Sequence, residues 1–340
     1  MVPTWNDGPM LKDTIESIFD SYPKNKLELI VINDNSPDNT SQILKQLQKK
    51  YKFIVITNKT NIGKVKAMNK AARKAKGEII FNVDSDLIVN KKAVEDMMAR
   101  LLNPKVGGVS ARYRPRNKGF LAFMQSIEYG LSGIIAIAHN PYSSFFMWGG
   151  CMAIKKTALK QIGYFTEEAW IEDIDAALKL NGKGWKVQQT PYLVKTYVPG
   201  TVFSWWKQKV RWGGGAFQAI LRHNPSFLTN PVTMFITFVL LLFWIAFGFA
   251  VSSIMNGGLV VDLVLVIWIS IVYPLFWTPF IIANCGRELR RKPYYILNIF
   301  PFAFIYMPAI IVAGTYGTLK ATYKLLAYGD KERVWFNEED

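Results

Sequence analysis

Two carboxylates with one residue between them, Asp84 and Asp86, close the short apolar run 79–83. In extended chain, residues two apart point to one face, so both acids aim at one spot above a strand end. One or two carboxylates suffice for a hard divalent cation whose remaining ligands are phosphate oxygens. A solvated acidic loop has the same composition; the place at a strand's carboxyl end is what favours chemistry. A second acidic group, Glu172, Asp173 and Asp175, opens an amphipathic stretch that runs to about residue 180. Acids in a first helical turn also complement the helix dipole, yet transfer to a hydroxyl needs a carboxylate or similar group as general base. Rivals are few, because histidine occurs only at 139 and 223, and Cys151 and Cys285 have no metal-site spacing.

Three further groups fit the same chemistry. Asn33 to Thr40 is an Asx-rich turn in which Asp38 caps a helix. Asp34 is not needed for that cap and is available to accept a hydrogen bond from a base N–H. Asn61-Ile62-Gly63-Lys64 puts a glycine and a lysine at a helix start, where backbone N–H groups and an ammonium favour phosphate. Gln208, Arg211 and Trp212 fall at i, i+3 and i+4, on one helical face. A guanidinium and an amide grip a diphosphate, and an indole offers a flat surface to a sugar ring. Their neighbours Trp205, Trp206, Lys207 and Lys209 equally suit an interfacial helix at headgroup level. A helix lying on the membrane while roofing a cytoplasmic site satisfies both readings.

These groups must be carried by a framework, and the hydrophobic pattern supplies one. Runs 27–32, 53–57, 79–83 and 106–111 read as strands, and 10–21, 39–51, 64–76 and 91–102 read as helices. Strand–helix alternation predicts an α/β, doubly wound, mostly parallel sheet, with ligands outside the carboxyl ends of its strands. Only Met1 and Val2 precede Pro3, so little of the first strand is expected. The mixed pattern from 117 to 220 reads as a continuation that meets the second substrate. The expected organisation is a cytoplasmic catalytic domain over 1–200, an amphipathic interfacial segment over 201–228, a transmembrane region over 229–320 and a mixed-charge tail over 321–340.

Within that third region, 232–254 carries no charge, 259–283 carries only Asp262, and 296–319 is interrupted by Pro301 and Pro308. Each is long enough to cross about 30 Å of hydrocarbon, although the prolines also suit a re-entrant segment. Met1 to Asp7 lacks the apolar core of a signal peptide. Lys207, Lys209, Arg211 and Arg222 before the first run, and Arg287, Arg290, Arg291 and Lys292 after the second, agree with a cytoplasmic catalytic domain. Three crossings place the basic residues after 319 outside; two keep them inside. The formal net charge of +16 suits anionic lipid, phosphorylated substrates or nucleic acid. With membrane runs present the excess is read as juxtamembrane, and no nucleic-acid partner is expected.

Taken in order, these residues resemble the membrane-embedded family-two glycosyltransferases, the branch with cellulose, chitin, hyaluronan and poly-N-acetylglucosamine synthases. Pro3-Thr4-Trp5-Asn6-Asp7 is similar to the family's opening Pro-x-Tyr-Asn-Glu. Asn33 to Thr40 resembles its Asp-Asp-x-Ser-x-Asp, with Asn33 at the first acid. Gly63-Lys64-Val65-Lys66-Ala67-Met68-Asn69 resembles Gly-Lys-x-x-Ala-x-Asn, and Asp84-Ser85-Asp86 resembles Asp-x-Asp. Glu172-Asp173 resembles the acids of Thr-Glu-Asp, with Ile171 at the threonine, and Gln208 to Trp212 resembles Gln-x-x-Arg-Trp. Gly163-Tyr164-Phe165 and Trp206-Lys207-Gln208 lean towards the poly-N-acetylglucosamine synthases.

The resemblance implies a GT-A, nucleotide-diphospho-sugar transferase fold followed by C-terminal transmembrane helices. It implies a UDP-sugar donor contacted by Pro3, Asp34, Lys64, Asp84, Gln208 and Arg211, and Mg²⁺ or Mn²⁺ on Asp86. Glu172 and Asp173 become the catalytic acids, with Asp173 as base, and Trp212 binds the acceptor. The expected activity is inverting, processive synthesis of a β-linked polysaccharide, N-acetylglucosamine favoured, in a multi-pass protein of the cell membrane. Single transfer to a polyprenyl or other lipid acceptor, and a non-catalytic membrane-tethered nucleotide-binding scaffold, are the alternatives.

Overall fold

The computed structural model describes residues 1–223 and 293–328, together with Ser252, Thr278, Ile282, Leu289 and Arg290. Apart from Ser252, Thr278 and Ile282, the apolar runs 232–254 and 259–283 lie outside the described residues. Seven strands carry the catalytic part: β1 (Val2–Thr4), β2 (Ile30–Asn33), β3 (Ile54–Thr57), β4 (Ile79–Val83), β5 (Val106–Pro115), β6 (Cys151–Lys155) and β7 (Lys186–Thr196). β1, β2 and β3 pair in parallel, in that order. The other four run in the order β4-β6-β5-β7, and Val83 N donates to Met1 O at 3.0 Å where β1 meets β4. Short as it is, β1 keeps its place beside β2.

Helices α1 (Gly8–Ser21), α2 (Thr40–Gln48), α3 (Lys64–Lys74), α4 (Lys91–Leu101), α5 (Phe120–Ala138), α6 (Lys156–Gln161) and α7 (Glu172–Gly182) cover both faces. One core joins Leu11 and Ile15 of α1, Leu44 of α2 and Met97 of α4 to Val31, Val83 and Val109. A second joins Val65 and Met68 of α3, Leu159 of α6 and Leu180 of α7 to Ile80 and Ile154. Each such side chain stabilises the layers by about 1.5–3 kcal/mol on burial. The sheet is therefore doubly wound, as the alternation predicts.

One strand departs from parallel. β6 runs antiparallel to both β4 and β5, with Val83 opposite Cys151 and Ile79 opposite Lys155. The cause is the excursion through α5, which returns the chain to the sheet at its carboxyl edge. β6 therefore starts where β4 ends, and the turn before it, Gly149–Gly150, arrives beside Asp84.

α8 (Val202–His223) crosses the catalytic part and packs on α9 (Met307–Tyr328). Small residues allow the approach. A Cβ on Gly213 would stand 2.7 Å from Gly314 Cα, and one on Gly317 would run into the Val210 carbonyl. Close backbone contact of this kind is how helices pack in or near lipid. Two described helices are long and apolar enough to cross a membrane: Phe120–Ala138, whose inner face packs on β5 and β7, and Ile296–Ala327. The second contains the predicted run 296–319.

Candidate active site

A cavity of about 500 Å³ opens at the carboxyl end of β4. Lys64, Asp84, Asp86, Glu172, Asp173, Gln208, Arg211 and Trp212 all line it, although they come from α3, the β4 loop, α7 and α8. The loop holding Asp84 and Asp86 is fixed from below. Asp84 N donates to Gly150 O at 2.8 Å, Thr14 Oγ1 to Ser85 O at 2.7 Å, and Ser85 Oγ to Asp7 Oδ2 at 2.5 Å.

Lys64 joins the two acidic groups. Its ammonium lies 2.9 Å from Asp84 Oδ1 and 3.0 Å from Glu172 Oε1. Burial works against the charges of both Lys64 and Glu172, but the attraction of the ammonium to Asp84 and Glu172 prevails. The lysine is held above its ordinary range, and Glu172 is brought down to about 2. Asp173 goes the other way. Burial, then the negative charge of Glu172, push it up to about 7, within the working range of a general base. Its Oδ2 accepts from Gly149 N and its Oδ1 from Ile174 N, both at 2.7 Å, which fixes the carboxylate plane.

Asp86 accepts from Thr196 Oγ1 at 3.1 Å. Burial, and then the charge on Asp84, raise its carboxyl to about 6. Two neighbouring carboxylates that repel one another, even with the Lys64 ammonium on Asp84, offer oxygen donors that fit a hard divalent ion such as Mg²⁺ or Mn²⁺. No group of three or more His, Cys, Asp or Glu is placed to hold a metal among the described residues. The chain thus offers a partial cradle, of the kind that phosphate oxygens complete.

Pro3 and Asp34 lie outside the lining of this cavity. Pro3 is buried in β1, opposite Ile32. Asp34 is buried with Oδ1 accepting from Asn58 Nδ2 (2.7 Å) and Ile62 N (3.0 Å), and Oδ2 from Gly63 N (2.8 Å). Its carboxylate therefore holds the turn at which Gly63, at φ +86°, launches α3 and Lys64. Asp175 points away from the site as well, to Thr166 Oγ1 (2.5 Å) and His223 Nε2 (2.7 Å), and ties α7 to the end of α8.

Sequence reasoning missed several lining residues. Gly149 and Gly150 sit between the acids: a Cβ on Gly149 would stand 2.5 Å from Asp173 Oδ2, and one on Gly150 2.7 Å from Asp84 Oδ2. Paired glycines before an apolar strand are a signal of close approach. Tyr113, Tyr129, Phe146 and Trp148 form an aromatic wall; Trp148 lies 4.8 Å from Tyr113 and 5.5 Å from Tyr129, edge to face. Trp212 leans on Tyr129 at 6.0 Å. These aromatics are scattered in the sequence, and no spacing announces them.

Residues 1–163 match the profile of the family described as Glycosyl transferase family 2. A poly-β-1,6-N-acetyl-D-glucosamine synthase of Staphylococcus epidermidis is 31% identical over 246 residues, covering 69% of this chain and 58% of that protein. A protein of the same description from Staphylococcus aureus is 30% identical over 227 residues, covering 65% and 55%. The chain thus spans little more than half the length of these curated relatives. A mannosyltransferase from Pyrobaculum calidifontis, solved in complex with GDP-Man and Mn²⁺, superposes with a TM-score of 0.63 at 19% identity, over 97% of this chain and 86% of that one. That likeness shows a shared GT-A fold. Residues 1–163 are a domain of glycosyl transferase family 2.

Proposed function

We propose that this chain is an inverting membrane glycosyltransferase that moves a sugar, N-acetylglucosamine favoured, from a UDP-sugar to a growing β-linked polysaccharide. The observation that carries the reading is the convergence of Asp84, Asp86, Glu172, Asp173, Gln208, Arg211 and Trp212 on one cavity. The relatives named poly-β-1,6-N-acetyl-D-glucosamine synthases support the choice of sugar and product. The long apolar helix Ile296–Ala327 supports a membrane setting, and the basic residues flanking the apolar runs support a cytoplasmic catalytic domain in a multi-pass protein.

In this reading the donor diphosphate lies between the β4 loop and α8. Asp86, with Asp84, would hold a divalent metal, which when bound would supply positive charge against the negative charge developing on the departing UDP. Gln208 and Arg211 hold the diphosphate from the opposite wall, and Lys64 adds an ammonium already anchored between Asp84 and Glu172. Trp212 stacks on the sugar at the acceptor end. Asp173 takes the proton of the acceptor hydroxyl as its oxygen bonds to the anomeric carbon. The bond from that carbon to UDP breaks with its electron pair going to the diphosphate. Attack from the face opposite UDP turns an α-linked donor into a β product, and holding both substrates in line supplies much of the acceleration.

A donor screen with several UDP-sugars tests the reading: membranes carrying the chain are expected to consume UDP-N-acetylglucosamine fastest and to yield a polymer ladder. A single transferred sugar would instead indicate a lipid acceptor, and no turnover with any donor would leave a scaffold. Trp212→Ala is expected to lower transfer on the order of 100-fold while UDP affinity, measured by calorimetry, stays within twofold. Equal loss of nucleotide affinity would assign the indole to the donor instead.

The pH profile follows from Asp173. Only its ionised form accepts a proton, so kcat/KM is expected to rise with pH, to be half-maximal near 7 and to fall away below. A profile flat from pH 5.5 to 8.5 would remove Asp173 from that role.

A further inference from the structure

α8 carries a cation that the transfer reaction above does not use. Lys209 is 3% exposed. Its ammonium lies 2.7 Å from Glu128 Oε1 of α5, 4.0 Å from the centroid of the Trp212 ring and 5.2 Å from that of Tyr129. The second oxygen of Glu128 is also engaged: Oε2 accepts from Tyr306 OH at 2.5 Å, and that hydroxyl accepts from Trp205 Nε1 at 2.9 Å. Three segments far apart in sequence thus meet in one buried polar chain that ends under the Trp212 ring.

Tyr306 reaches this chain through an irregularity. Phe302–Tyr306 forms a π-helical turn between Pro301 and Pro308, inside the long apolar helix. One extra residue per turn re-phases a helix face by about 100°. Such turns concentrate at functional positions. Here the turn delivers a hydroxyl to the only acid of α5, which itself lines the cavity.

We propose that Glu128 and Tyr306 are positioning residues that act through Lys209 on the Trp212 indole, so that the long apolar helix sets where the acceptor sugar rests over Asp173. The ammonium attracts the ring face by a cation–π interaction. Glu128 and Tyr306 fix the ammonium, and with it the tilt of the ring. The inference rests on the sugar-transfer reading, since it gives the indole an acceptor to hold.

The test uses the full chain in its membranes, with an oligosaccharide acceptor and the preferred UDP-sugar. Tyr306→Phe deletes one hydroxyl; the expected result is a five- to tenfold rise in acceptor KM, with UDP affinity and donor KM within twofold of wild type. Glu128→Gln should lose at least 30-fold in kcat over acceptor KM. The double variant should be no worse than Glu128→Gln alone, because both changes act on one ammonium. Additive losses confined to thermal stability, with normal kinetics below the unfolding midpoint, would mark the chain of contacts as structural only and overturn the proposal. If Glu128→Gln does not fold, Tyr306→Phe decides alone: wild-type acceptor KM and kcat overturn it. A wild-type chain that transfers no sugar overturns both this inference and the reading beneath it; active wild type with an unaffected Tyr306→Phe overturns this inference only.

Discussion

Asp173→Asn is expected to lower sugar transfer by about 10²–10⁴-fold, the usual worth of a positioned general base. The substitution keeps the shape of the side chain, and its amide oxygen can still accept from one of Gly149 N and Ile174 N while the other N–H loses its acceptor, so the cavity should persist with one hydrogen bond fewer. UDP affinity should be unchanged, because this group faces the acceptor. Stability supplies a second readout. A carboxyl raised to about 7 in the folded chain binds its proton more tightly than when unfolded, so its ionised form is destabilising above that pH. The stability lost in the asparagine variant relative to wild type should therefore be smaller at pH 8 than at pH 5. A variant that is inactive only because it melts early would argue against a catalytic role, and one with more than a tenth of wild-type activity would remove it.

The second large effect is expected at Asp86. A divalent ion at a departing diphosphate contributes several kcal/mol, and each 1.36 kcal/mol is tenfold in rate, so Asp86→Asn should lose on the order of 100-fold or more. The binding measurement is more specific than the rate. In wild type, Mn²⁺ or Mg²⁺ should strengthen UDP binding, because the metal offsets the burial and the Asp84 repulsion that together raise Asp86 to about 6. In Asp86→Asn that enhancement should be lost while metal-free UDP affinity is kept or improved, since one negative charge has gone. An identical metal response in the two proteins would place the ion elsewhere.

How much of this was legible beforehand depended on the range of the interaction. The first four helices, and the strands beginning near 30, 54, 79 and 106, follow from local periodicity, and the observed elements lie within a few residues of the expected ones. The i, i+3, i+4 spacing likewise puts Gln208, Arg211 and Trp212 on one face of α8, and that face lines the cavity. β6 was illegible because its reversed direction is set by the excursion through α5, not by its own residues. With it went Gly149 and Gly150, which matter for the side chains they do not have. Lys64 shows the same limit: a helix-start lysine is readable, but its position between Asp84 and Glu172 is a product of three separate segments. Asp34 shows it from the other side. Its acidity is plain in the sequence, while the Asn58, Ile62 and Gly63 donors that occupy both oxygens are not.

The central claim is that the acids of the β4 loop and of α7 work on one sugar nucleotide. Incubating membranes that carry wild type, Asp86→Asn or Asp173→Asn with labelled UDP-N-acetylglucosamine and Mg²⁺ tests it most directly. Label should enter a β-linked, high-molecular-weight product with wild type, and with neither variant, at matched levels of folded protein. Incorporation that survives both substitutions would contradict the account.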